Sequence, residues 1–162
     1  MHAEKKQQDT TVKIAKHFKE IDVDFSRIES LVKSTCLCFG RSKIPPERYE
    51  ISIAIVDDTK MREINKQFLN QDLPTDCLSF NLSENDTNSA KSFELVVNAE
   101  MAVKEANLRG HSSEAELALY ITHSLLHNFG FNDSTQKQAE KMHTIEDEIL
   151  QQLGYGPVYN RA

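Results

Sequence analysis

The chain has 162 residues, 39% of them hydrophobic and 27% charged, with 25 acidic against 19 basic side chains and a net charge of −6. That length makes one domain with a genuine core, and no window approaches the roughly 18 apolar residues that span a bilayer. The acidic balance excludes a protein that coats nucleic acid by neutralising phosphates, but not an enzyme that engages RNA through a local basic edge. Arg41, Lys43 and Arg48 are candidates for such an edge, as are Lys60, Arg62 and Lys66. Solvated surface charge is the simpler account of both groups.

Residues 1–10 are polar and read as a flexible tail, as do residues 155–162, with the domain expected between them at 11–154. Met1 to Asp9 carries charges with no hydrophobic segment behind them, so a signal peptide is not expected and the chain reads as cytoplasmic. Three cysteines without scaffold spacing fit a reducing compartment. Cys36 and Cys38, two apart on an expected helix, point to different faces and make a poor metal clamp.

In chain order, Thr11 to Phe18 alternates roughly and suggests a strand. From Asp24, a natural N-cap, apolar residues recur at helical spacing until Gly40, and Pro45-Pro46 follows as a linker. Tyr49 to Val56 alternates cleanly as a strand. Asp57-Asp58-Thr59 turns into a helix from about Lys60 to Leu69, with Met61, Ile64 and Phe68 on its inner face. Short strands are expected at Cys77 to Leu82 and Phe93 to Asn98, separated by a Ser/Asn/Asp loop from Ser83 to Ser92. Ala99 to Leu108 is helical, Ser112 to Ala115 opens a long apolar helix, and Ser134 caps a final helix reaching about Leu153. The order β-α-β-α-β-β-α-α-α implies an α+β domain, a mixed sheet of about four strands packed with about five helices.

The chemistry concentrates in the long apolar helix and the turn behind it. His123 and His127 are four apart, so a 3.6-residue repeat stacks both imidazoles on one face. Gly130 falls where the helix ends, and Asp133, three residues on, can bring a carboxylate back toward them. Two nitrogens and one oxygen leave a fourth tetrahedral position open, the form of a catalytic zinc site in which bound water becomes the reactive group. A zinc peptidase of this spacing would carry Glu directly after the first histidine, where this chain has Ser124, and serine is no base near pH 7. A non-haem iron triad shares the ligand set, but the strands are too few for the β-barrels that usually hold it. His143 is an alternative third ligand or a surface histidine, Asp76 an outer partner of a metal-bound histidine or a turn residue. Thr75 and Ser79 are placed to bond a phosphate or to end a strand, and His2, His17 and His111 carry no signal.

The stretch His123-Ser-Leu-Leu-His127-Asn-Phe-Gly130-Phe-Asn-Asp133 resembles the H-G-x-L-H-L-x-G-Y-D-H signature of the YbeY family, metal-dependent endoribonucleases of ribosomal RNA maturation. Pro74-Thr75-Asp76-Cys77-Leu78-Ser79-Phe80 resembles that family's P-T-D-V-L-S-F segment, and Ile64-Asn65, Met142 and Glu146 also fit. The resemblance implies zinc held by His123, His127 and Asp133. It also implies cleavage of single-stranded ribosomal RNA, including maturation of the 16S 3′ end and ribosome quality control, with the small ribosomal subunit as partner. This chain departs from the pattern in having Asp133 for the third histidine, Ser124 for a glycine, Asn132 for an aspartate and Leu69 where the family has a loop arginine. Those departures keep a second reading open, a ribosome-associated assembly factor with impaired or absent hydrolysis, beside the small zinc peptidase.

Overall fold

A computed structural model describes residues 9–40, 47–84 and 89–158. Pro45-Pro46, Arg41, Lys43, His2 and parts of both expected tails and of the Ser83–Ser92 loop lie outside them. Among the described residues the order is β1 (Thr10–Lys16), α1 (Phe25–Phe39), β2 (Tyr49–Val56), α2 (Asp58–Leu69), β3 (Cys77–Asn81), β4 (Lys91–Asn98), α3 (Ala99–Arg109), α4 (Ser113–Asn128) and α5 (Gln136–Gln152). The element types and their order are those read from the sequence, and the domain is α+β with a four-stranded mixed sheet.

Helix starts follow side-chain chemistry. Asp24, Asp57, Asn98 and Ser112 each accept a hydrogen bond from a backbone N–H in the first turn of α1, α2, α3 and α4. For α5 the cap is Thr135, one residue beyond the expected Ser134. Thr135 and Gln138 bond each other's backbone reciprocally, which satisfies two orphan donors where Ser134 alone satisfies one.

The strands lie in the order β1-β2-β4-β3. β1 and β4 run parallel to β2, and β3 returns antiparallel along β4, with Ser79 opposite Leu95. Alternation in β2 sends Ile51, Ile53 and Ile55 into the main core, where Leu95 and Val97 of β4 join them beneath α1, α4 and α5. The opposite face holds a smaller cluster of Val56, Met61, Leu78 and Val96 under α2. Phe68, expected on the inner face of α2, is 61% exposed. The small cluster is already filled by Met61, and the buried polar residue of that helix is Asn65, whose amide donates to Leu73 O at 2.8 Å.

α4 is the central element: Ala115 through Thr122 is buried without a break, with neighbours in α1, α3, α5, β3 and β4. A helix apolar on every side is one enclosed by protein, which explains the weak single-face pattern of this stretch. Beyond Gly154, Val158 is 1% exposed and its carbonyl accepts from Arg109 at 2.6 Å, so this part of the expected C-terminal tail is packed.

Candidate metal centre

The C-terminal half of α4 delivers two imidazoles, and the turn after it delivers a carboxylate. Gly130 has φ 94°, a left-handed value that lets the chain reverse at once, and Phe131 N donates back to Leu126 O at 3.0 Å. The reversal brings Asp133 Oδ2 to 3.5 Å from His123 Nε2 and 3.7 Å from His127 Nε2, while the two Nε2 atoms lie 2.9 Å apart. Three atoms held 2.0–2.1 Å from one tetrahedral zinc would lie about 3.3 Å from each other, so these spacings bracket the requirement. The three residues form a group whose ligand atoms all lie within 4.8 Å of one another.

The other ring nitrogen of each histidine is held. His127 Nδ1 faces the carbonyl of Phe131 at 3.1 Å, and a carbonyl only accepts, so that nitrogen carries the proton. His123 Nδ1 donates to Glu146 Oε1 at 2.6 Å, and Glu146 is 1% exposed. Both Nε2 lone pairs therefore point into the site, where at this distance they repel unless a cation lies between them. In the metal-free chain a proton relieves that repulsion. Burial lowers the pKa of His123, but the hydrogen bond and charge of Glu146, with the charges of Asp76 and Asp133, outweigh it and hold the pKa above its ordinary value. Fixed outer nitrogens and converging inner ones are the arrangement of histidine metal ligands, and the donor set fits zinc.

Glu146 also bonds His143 Nδ1, at 3.1 Å, so one buried carboxylate bridges two histidines of different helices. Among the described residues the converging group is His123, His127 and Asp133, and His143 lies outside it. Asp76 serves its own turn, accepting from Cys77 N at 2.7 Å and from Thr75 Oγ1 at 3.3 Å, and it reaches His123 only through its charge. Thr75 lines a cavity of about 450 Å³ that His123, His143 and Glu146 also line. Ser79 is half-buried, on the same face of β3 as Cys77 and therefore turned toward α4. Ser124 is buried and donates its hydroxyl to Tyr120 O at 2.9 Å, so no base follows the first histidine and nothing favours a peptidase.

Leu69 is exposed at the end of α2, across the sheet from α4. Arg62 and Lys66, the basic side chains on α2 that could stand in for the missing arginine, both turn to Asp72, at 2.7 and 3.9 Å. Sequence reading did not find the roles of Glu116 and His111. Glu116 is 2% exposed on α4, where it accepts from Arg109 at 3.4 Å and pairs with the His111 ring. A glutamate between Ala115 and Leu117 in an apolar run was the available signal, since a buried carboxylate needs a partner.

A family model described as Endoribonuclease YbeY matches residues 13–154. The chain is 31% identical over 148 residues to Endoribonuclease YbeY of Caldicellulosiruptor bescii, covering 83% of this chain and 92% of that protein. It is 30% identical over 128 residues to the Heliobacterium modesticaldum protein of the same name, covering 72% and 77%. The solution structure of TM1509 from Thermotoga maritima shares the fold at TM-score 0.58 and 20% identity, covering 88% and 89% of the two chains. The matched stretch runs from within β1 to Gly154 and takes in the whole His123–His127–Asp133 group, and the chain belongs to the YbeY family.

Proposed function

We propose that the chain is a metal-dependent endoribonuclease that cuts single-stranded RNA in ribosomal RNA processing, with one zinc ion held by His123, His127 and Asp133. The observation that carries the reading is the convergence of both Nε2 atoms and Asp133 Oδ2 while Glu146 and the Phe131 carbonyl hold the outer nitrogens. A zinc ion in such a site supplies Lewis acidity and lowers the pKa of a bound water toward neutrality.

The protein's own share is orientation. Glu146 fixes the ring plane and tautomer of His123, the Gly130 turn does so for His127, and Asp133 contributes a negative ligand. That negative charge, where the family has a neutral histidine, makes the site less acidifying toward water and more favourable to harder ions. Thr75, beside the cavity at His123, and Ser79, on the α4 side of β3, are the hydroxyls that would bond a substrate phosphate. The ribosomal RNA of the small subunit is the expected substrate and a cytoplasmic setting the expected one. No helix among the described residues is long and apolar enough to cross a membrane.

The test is a metal assay coupled to cleavage. Purified wild type should hold about one zinc per chain, Asp133→Ala much less, and chelation should abolish cutting of a single-stranded ribosomal RNA fragment. Wild type that binds the small subunit but holds no metal and cuts nothing would favour an assembly factor instead.

A further inference from the structure

Two cavities meet over the Gly130 turn. The first, about 380 Å³, is lined by the buried rings of Tyr49 and Phe93 and the half-buried rings of Phe39 and Phe129. The Phe129 centroid lies 5.5 Å from Phe93, 5.6 Å from Tyr49 and 6.4 Å from Phe39, so the four rings form one aromatic surface. Asn81, Asn128 and Lys91 complete the lining on its polar side. The second cavity, about 320 Å³, shares Phe129 and Gly130 with the first and ends at Lys141, whose Nζ is 5.9 Å from the Phe131 ring. Together they make one shared hollow, called the trough below, that carries Lys91 and Lys141 and borders the Gly130 turn leading to Asp133.

Charge distinguishes this trough from the cavity against His123. That cavity is lined by Asp76, Glu105, Glu116 and Glu146 with Arg109, His123 and His143, so away from the proposed metal its carboxylates disfavour a run of phosphates. Among the described residues the trough has a single lining carboxylate, Glu47, which accepts the Tyr49 hydroxyl at 2.6 Å.

We propose that the trough is a nucleobase subsite, seating one unpaired base of the RNA beside the metal centre; this rests on the endoribonuclease reading above. The base lies against Phe129 and Phe39, and Lys91 and Lys141 take the flanking phosphates. Asn81 Nδ2 and Asn128 Oδ1, the amide atoms not engaged by Ser83 N and Ser124 O, meet its hydrogen-bonding edge. Aromatic rings with side-chain amides are what an unstacked base needs, and a base still paired in a duplex cannot enter. The subsite thus gives a physical origin for single-strand preference, and it shares no lining residue with the acidic cavity.

The test is an abasic scan. Short fluorescent single-stranded RNAs, each lacking one base, are titrated against zinc-loaded wild type, with cleavage followed in parallel. One position should lose about tenfold in affinity. Asn81→Ala and Phe39→Ala should weaken binding of the intact RNA, with the abasic penalty at that position shrinking in both. Thermal melts check that Phe39→Ala folds, and if it does not, Asn81→Ala alone makes the same comparison at the rim. A flat scan on an RNA that wild type cuts overturns the subsite alone, as does a full-sized penalty in the variants. Wild type that neither binds nor cuts the intact RNA overturns the endoribonuclease reading and the subsite with it.

Discussion

Glu146 carries the heaviest duty of any single residue, because it is buried and bonded to two histidines at once. Glu146→Gln keeps the shape and an acceptor oxygen but removes the charge that orients His123. Zinc affinity should fall about 10- to 100-fold, read by competition with a chelating dye, while the melting profile of the metal-free protein keeps a single transition. The proton on His123 gives a second handle. Its folded-state pKa is raised above the ordinary value of 6.5. A raised pKa contributes stability that is fully present below the unfolded value and is lost as pH climbs through the folded one. In metal-free protein the melting-temperature gap between wild type and His123→Gln should therefore narrow as pH rises from about 6.5. A gap that widens over that range would contradict the assignment. Zinc uptake should run the opposite way and weaken on acidification, because the ion must displace that proton.

At the scale of elements, the turn after α4 is the part with least freedom. Gly130 has φ 94° and open space where a Cβ would sit, so Gly130→Ala meets no clash and its cost is purely backbone. That cost is about 1–2 kcal/mol, a fall in melting temperature of about 2–8 °C for a chain of this size, together with weaker zinc binding as Asp133 shifts. Leu125, wholly buried between the two histidines on α4, should cost about 2–5 kcal/mol as Leu125→Ala, measured by denaturant unfolding. The sequence made the elements legible because alternation in Tyr49–Val56 and capping residues such as Asp24 and Asn98 act locally. It also made the convergence of His123, His127 and Asp133 legible, since i,i+4 spacing plus a glycine turn is a short-range geometry. Phe68 misled because periodicity marks an apolar face without telling how much core exists to receive it. The pairing of Glu116 with Arg109 and His111 joins the end of α3, the α3–α4 turn and a buried face of α4, a contact that no single-element pattern records. The strand order, with β4 inserted between β2 and β3, is likewise a property of the assembled sheet.

For the whole molecule, one architectural fact organises the proposed chemistry: the most enclosed helix carries both histidines of the proposed centre. Core packing on every side of α4 fixes where His123 and His127 project, and α5, docked against it, supplies the carboxylate that sets one of them. The sheet face under α2 is a separate, smaller core, so α2, which ends at Leu69, packs across the sheet from α4. Replacing Leu69 with arginine should therefore leave RNA cleavage within about twofold of wild type, and a gain of an order of magnitude in the cleavage assay would show that this loop does reach the substrate. The most direct measurement is titration of zinc back into chelated protein while cleavage of a single-stranded ribosomal RNA fragment is followed. Cleavage by wild type should rise from background and level off at one equivalent of zinc per chain, with Asp133→Ala staying at background throughout. Cutting by fully chelated protein, or an Asp133→Ala curve that overlays the wild type, would contradict a metal centre built from His123, His127 and Asp133.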